Sequence, residues 1–209
     1  MGVMARLPAV LGTDHLPLAE LCAARLDGEL FAIDDGWAPV DEPDLPEFRA
    51  AALALRVPRA LIIERVSAAW VHGAFDVPPS IAQFCVPLSA RIAVLAERRA
   101  TVREVRIDDG EVIRLGGVRC TSVVRTGFDL LRDPGLDDDA SVEVTAALFE
   151  TRRALLDELA AKLQAAVRMP YRSAALARLG RVEACLGASA ARVRPVSAGA
   201  PVGQPSLTR

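Results

Sequence analysis

Two histidines, four cysteines and one run of three aspartates are the residues of this 209-residue chain whose types invite chemistry. His15 and His72 stand far apart and neither belongs to an HExxH pair, so a zinc-hydrolase arrangement is absent. Cys22, Cys85, Cys120 and Cys185 form no CxxC pair. Tetrahedral metal sites usually draw ligands from close pairs, so these thiols read as buried and reduced in a cytoplasmic protein. Asp137-Asp138-Asp139 offers carboxylates to a divalent cation, yet the run sits where a helix begins. There acidic side chains serve the free N–H groups of the first turn, and a solvated cap is the stronger reading. His72 adjoins the apolar Trp70 and Val71, the setting of a structural histidine rather than a general base. The GxSxG elbow, the G-x-x-x-x-G-K-[ST] loop and the GxGxxG fingerprint are all missing. Gly116-Gly117 lies inside a strand-like run, where it signals a bulge more than a phosphate cradle. Together these points favour a binding protein over an enzyme, with no cofactor and no metal implied.

Charge is distributed unevenly. The chain carries a formal −2 overall, but residues 1–47 hold two basic and ten acidic side chains, a net −8. Residues 152–209 hold ten basic and three acidic ones, a net +7. Polyanion binding depends on local cationic density, so the Arg-rich end is a candidate nucleic-acid surface and the acidic head is not. All basic residues but Lys162 are arginine, which reads as genome composition more than chemistry. Mean hydropathy is +0.26, but no stretch approaches the ~18 uncharged apolar residues that a membrane span needs. The N-terminus lacks a charged segment followed by a long apolar one, so no signal peptide is expected.

The elements that must position these residues are set by periodicity. A short helix is expected over 3–12 and a second from Pro17, with Leu18, Leu21, Cys22 and Leu26 on its apolar face and Gly28 as its stop. Residues 29–40 read as a β-hairpin turning at Asp34-Asp35-Gly36. Asp41 to Pro46 reads as a linker. A helix over 47–56, a strand over 60–63 and a helix over 68–72, capped by Ser67 and stopped by Gly73, come next. Strands are expected at 83–88, 101–107 and 111–120, the last two joined by a turn at Asp108-Asp109-Gly110. Thr121 or Ser122 caps a helix reaching Leu131. Val142, Phe149, Leu156 and Leu163 recur every seven residues and predict one helix over 140–167, packed on the sheet or forming a dimer seam. A last helix spans 173–186, and residues 188–209 read as a disordered tail.

The expected fold class is α+β: a reduced N-terminal winged helix-turn-helix over 1–44, a mixed α/β domain with C-terminal helices over 45–187, and the tail over 188–209. Two segments carry a resemblance. Val66-Ser67-Ala68-Ala69-Trp70-Val71-His72-Gly73 resembles the Ser-Ala-Ala-x-x-His-Gly signature of the AbiEi family of antitoxins. Leu115 to Leu130, through Thr121-Ser122, Arg125-Thr126 and Asp129-Leu130, is similar to that family's Gly-Val-x-Val-Thr-Ser-x-x-Arg-Thr-x-x-Asp-Leu element. The likeness covers roughly residues 10–133, and actinobacterial versions, including mycobacterial ones, look closest. On this resemblance Ser67, His72, Gly73, Thr121, Arg125 and Asp129 are the family-motif residues. It implies an antitoxin whose cognate partner is a nucleotidyltransferase-like toxin encoded next door, and a winged helix that binds operator DNA.

The head departs from that last implication. Its helix and hairpin carry only Arg25, with Arg6 upstream, and the wing tip is acidic, whereas phosphate contacts need Arg or Lys. The candidate DNA contacts are therefore Arg6 and Arg25 of the head together with Arg91, Arg98, Arg99, Arg103 and Arg106, the latter five or the basic C-terminal helices being favoured. The alternative is that these arginines are solvated faces. Three functions are open to such a chain: an antitoxin acting by complex, by repression or by promoting a covalent change on the toxin; a stand-alone DNA-binding transcriptional repressor; and an enzyme, such as a nuclease or a kinase-like modifier. The third is disfavoured because Lys162 stands alone on a helix.

Overall fold

The smallest unit is built where the apolar spacing is clearest. Leu21 and Ala24 of α1 (Leu18–Leu26) pack with Leu11, Leu16, Leu30 and Trp37 beneath the hairpin β1 (Leu30–Ile33) and β2 (Gly36–Pro39). Pro17 opens α1 and Gly28, at φ +78°, ends it. This arrangement comes from a computed structural model of the chain, which describes residues 8–55, 60–90, 99–166 and 170–193. The described part of the expected first helix is not helical. Leu11 exchanges both backbone hydrogen bonds with Trp37, at 2.7 and 2.9 Å, so its N–H and carbonyl serve the hairpin instead.

The head shares its packing with the main body. Val10, Ile33 and Ala38 join the main core beside Phe48 of α2 (Pro46–Ala54), and the rings of Phe31 and Phe48 lie 6.2 Å apart. The expected linker is pinned as well. Asp44 accepts two hydrogen bonds from Arg49, each 2.6 Å, while Arg49 donates to the carbonyls of Trp70 and Phe75.

The main body is a five-stranded sheet covered by helices, an α+β architecture. The sheet has the order β5 (Ala100–Val105), β4 (Ala82–Pro87), β3 (Ile62–Ile63), β7 (Val118–Thr121) and β6 (Val112–Leu115). β3 is antiparallel to β4 and parallel to β7, while β4 and β5 are parallel. Alternation then separates the faces. Ile63, Phe84 and Cys120 enter the large core with Trp70, whereas Ile62 and Cys85 face the other way, toward Val105.

Two expectations fail here, for one reason. Residues 111–120 form two strands, because Gly116 and Gly117 take φ +55° and +88° and close a tight hairpin turn instead of a bulge. Asp108-Asp109-Gly110 accordingly joins strands at opposite ends of the sheet and not a pair of neighbours. That short link draws Val105, Ile107 and Val112 into one cluster with Ile62 and Cys85, so the sheet curls.

Helices α3 (Arg65–Val71), α4 (Val123–Leu131), α5 (Asp138–Phe149), α6 (Leu156–Ala165) and α7 (Arg172–Val193) build the second core around Phe128, Leu131, Phe149, Leu159, Leu163, Leu179 and Val182. Ser122 caps α4, its side chain accepting from the Arg125 N–H. Ser67 does not cap α3, which starts after Glu64; its hydroxyl accepts from the Gln83 N–H at 2.8 Å and ties α3 to β4. The single helix expected over 140–167 is two. Arg152 sends its guanidinium to the carbonyls of Leu148 (3.2 Å) and His72 (2.8 Å), capping α5 and breaking the ladder. Each half of the heptad stripe then packs separately. The tail boundary also moves: α7 continues through Val193, and Ala188, Ala190 and Ala191 favour helix intrinsically.

Gly127 is a packing requirement in α4. A Cβ there would lie 2.6 Å from Phe149 Cε2 and 3.2 Å from Leu159 Cδ2, whereas one at Gly180 of α7 would meet nothing within 4 Å. Gly127→Ala is expected to lower stability by about 1–3 kcal/mol through overpacking. Gly180→Ala is expected to raise it by up to about 1 kcal/mol through helix propensity. Urea unfolding of the two variants checks the opposite signs.

Candidate functional site

The i,i+4 spacing of Arg125 and Asp129 on α4 puts them on one helix face, and the fold buries that face. Arg125 Nε donates to Asp129 Oδ2 at 2.7 Å, while its Nη1 reaches Glu111 Oε2 at 2.5 Å and the Arg106 carbonyl at 3.0 Å. Lys162 of α6 also donates to Glu111. On the other side of Asp129 stands Arg103 of β5, with Nη2 3.3 Å away and Nε 2.5 Å from Glu64 Oε1. Arg65 extends the chain of charges, 3.8 Å from Glu64 and 3.1 Å from Asp133. Arg132 lies 3.9 Å from Asp129. One ion-pair network thus joins α3, β5, the turn before β6, α4 and α6. Phe128 is its apolar floor, with Arg132 at 4.9 Å, Lys162 at 5.3 Å and Arg125 at 5.9 Å from the ring centroid.

The network is not fully satisfied. Glu64 Oε2, Asp129 Oδ1, Arg103 Nη2 and Arg65 Nε are buried without a hydrogen-bond partner. Burial pushes the Glu64 carboxyl up, Arg103 offsets part of that, and the nearby Asp129 charge adds to it. Burial also raises Glu111, but Lys162, the Asp108 N–H and Arg125 outweigh it and hold the carboxyl below its ordinary value. Burial and then the Glu64 charge push the Cys85 thiol well up, so it is a poor nucleophile.

A second polar node sits nearby. His72 Nε2 donates to the Thr121 carbonyl at 2.8 Å, and the Thr121 and Thr126 hydroxyls are 2.7 Å apart. His72 is buried, and burial lowers its pKa, so the neutral ring serves as a hydrogen-bonded strut between α3 and β7.

Of the six motif residues, the fold joins His72 to Thr121 and Arg125 to Asp129. Ser67 is engaged with β4, and Gly73 is exposed at φ +84°, ending α3. The expected DNA contacts do not assemble. Arg6, Arg91 and Arg98 lie outside the described residues. Arg99 pairs with Asp35 at 2.6 Å, Arg103 is taken up by Glu64 and Asp129, and Arg25 is exposed on α1 of the acidic head. Arg106 is exposed beside the network. Lys162, which looked isolated in the sequence, is a member of the network. Glu64, Glu111, Arg65 and Asp133 carried no local sign, because their partners lie on other elements.

The remaining candidates resolve into structure. Asp137 caps α5, accepting from the Ala140 N–H, Asp138 pairs with Arg178 and Asp139 with Arg181. Cys85 and Cys120 are buried, but Cys22 and Cys185 are exposed, against the expectation of four buried thiols. Among the described residues, no group of three His, Cys, Asp or Glu is placed to hold a metal ion, and no helix is long and apolar enough to cross a membrane.

Comparison with known proteins returns neither a matching family model nor a matching curated protein.

Two outcomes are expected. Arg125→Met takes from the buried Asp129 its nearest guanidinium, leaving Arg103 at 3.3 Å and Arg132 at 3.9 Å, while Glu111 keeps Lys162, and urea unfolding should register a loss of about 3 kcal/mol. Lowering the pH probes His72. Its folded pKa is depressed below the ordinary 6.5, so the unfolded chain takes up the proton first as the pH falls. The stability it contributes is full above pH ~6.5 and declines from there toward the lower folded value. His72→Gln should flatten the pH dependence between pH 7 and 5 by up to about 1.4 kcal/mol per pH unit.

Proposed function

We propose that this chain is an antitoxin of the AbiEi type that neutralises a nucleotidyltransferase-like toxin. The observation that supports the reading is the convergence of the two motif segments. They are about 50 residues apart in the chain, yet His72 of the first bonds Thr121 of the second, and the Arg125–Asp129 pair sits beside them. A chance likeness of two short segments gives no reason for their residues to meet. The acid-rich head is read as a reduced winged helix, of which α1 and the β1–β2 hairpin are the helix and wing. It acts as part of the folded body, since Val10, Ile33 and Ala38 share the core of α2.

Within this reading, neutralisation is the main function and operator binding a secondary one. The ion pairs of Arg99 and Arg103 withdraw two of the expected phosphate contacts, which weakens the alternative of a stand-alone repressor. The protein is taken as a binding partner of its toxin, not as an enzyme.

The test is co-expression of the full chain with the product of a neighbouring nucleotidyltransferase-like gene. Relief of that protein's growth arrest by the wild-type chain is expected. The Arg125→Met variant should lose relief in parallel with its stability, and Arg25→Gln should keep it. Failure of the stable wild-type chain to relieve the arrest refutes the reading.

A further inference from the structure

On the solvent side of the ion-pair network lies an open cavity of about 370 Å³, lined by Arg106, Glu111, Arg125, Phe128, Arg132 and Lys162, with Asp108 at its rim. Four of the lining residues are cations and two are acids, so the cavity has an excess of two positive charges. The acids are also spoken for. Glu111 accepts from Arg125, Lys162 and the Asp108 N–H, and the Asp108 side chain closes a capping box at the turn before β6. Arg106 is exposed and makes no ion pair among the described residues. Arg132 has a carboxylate only at 3.9 Å. Two guanidiniums therefore stand at the cavity with unused donors, backed by Lys162.

We propose that this cavity is a binding site for a phosphate dianion, either free phosphate or the monoester of a small molecule. Guanidinium forks match phosphate oxygens in geometry and charge, and a point-charge lysine completes such a cradle. The surroundings of Arg132 agree. Burial and the like charges of Arg103, Arg125 and Arg65 outweigh Asp129 and depress its pKa, a cost that a bound dianion relieves. Phe128 is too deeply covered to stack on a ligand base, so the site recognises the phosphate group and not an attached ring. The proposal does not rest on the antitoxin reading.

The test is calorimetric titration of the full chain with inorganic phosphate and with ribose 5-phosphate, at ionic strength held constant with sodium chloride. Saturable binding of at least one is expected, and the tighter of the two identifies the source. Arg106→Gln with Arg132→Gln should weaken it about tenfold. Arg25→Gln with Arg114→Gln removes the same charge elsewhere and should change it less than twofold. Arg106→Gln alone, at an exposed position, should still weaken binding measurably and guards against misfolding of the double variant. Absence of saturable binding by both anions, or equal loss in the two double variants, overturns the site.

Discussion

Asp129 is the point on which the body of this protein turns. It is buried in the last turn of α4, and a lone carboxylate there would cost several kcal/mol. The fold supplies Arg125 from the same helix, Arg103 from the far edge strand and Arg132 from the helix end. Two of these bring their own acids, Glu111 through Arg125 and Glu64 through Arg103. The requirement to neutralise one charge thus recruits residues from β5, the turn before β6 and the start of α3. Such a network adds little net stability, because the cost of desolvating its charges offsets their attraction.

The curl of the sheet is compatible with the same network. β5 and β6 are opposite edges, yet Arg103 on the first and Glu111 just before the second both answer to α4. A flat five-stranded sheet would hold them about 19 Å apart at ordinary strand spacing. Curling brings the edges together, gathers Ile62, Cys85, Val105, Ile107 and Val112 into a small core, and leaves the basic cavity open on the α4–α6 side. Packing and electrostatics cooperate here: Gly127 lets Phe149 and Leu159 approach α4 closely, while the opposite flank of that helix carries the charges.

The motif residues owe their types to this architecture. A histidine at 72 spans from the end of α3 to the Thr121 carbonyl, and its own carbonyl accepts from Arg152, which stops α5. The resemblance that points to an antitoxin therefore rests largely on residues that hold the body together.

Much was legible from the chain alone. Apolar spacing placed α1, the Thr121-Ser122 cap marked the start of α4, Asp34-Asp35 marked the hairpin, and the Asp137 run marked a helix start, because these depend on neighbours within a turn or two. Arg125 and Asp129 stood out only as motif residues of the resemblance, and their pairing came from the structure. What tertiary structure decided were the places where a distant partner outbid a local preference. Trp37 took the backbone of Leu11 out of a helix, Arg152 cut a 28-residue apolar periodicity in two, and the sheet order turned an apparent hairpin at Asp108 into a crossover. Lys162 found Glu111 across 51 positions. Local sequence determines which elements a segment can form at low cost, whereas ion pairs and strand pairing over long separations exist only once the chain has closed on itself.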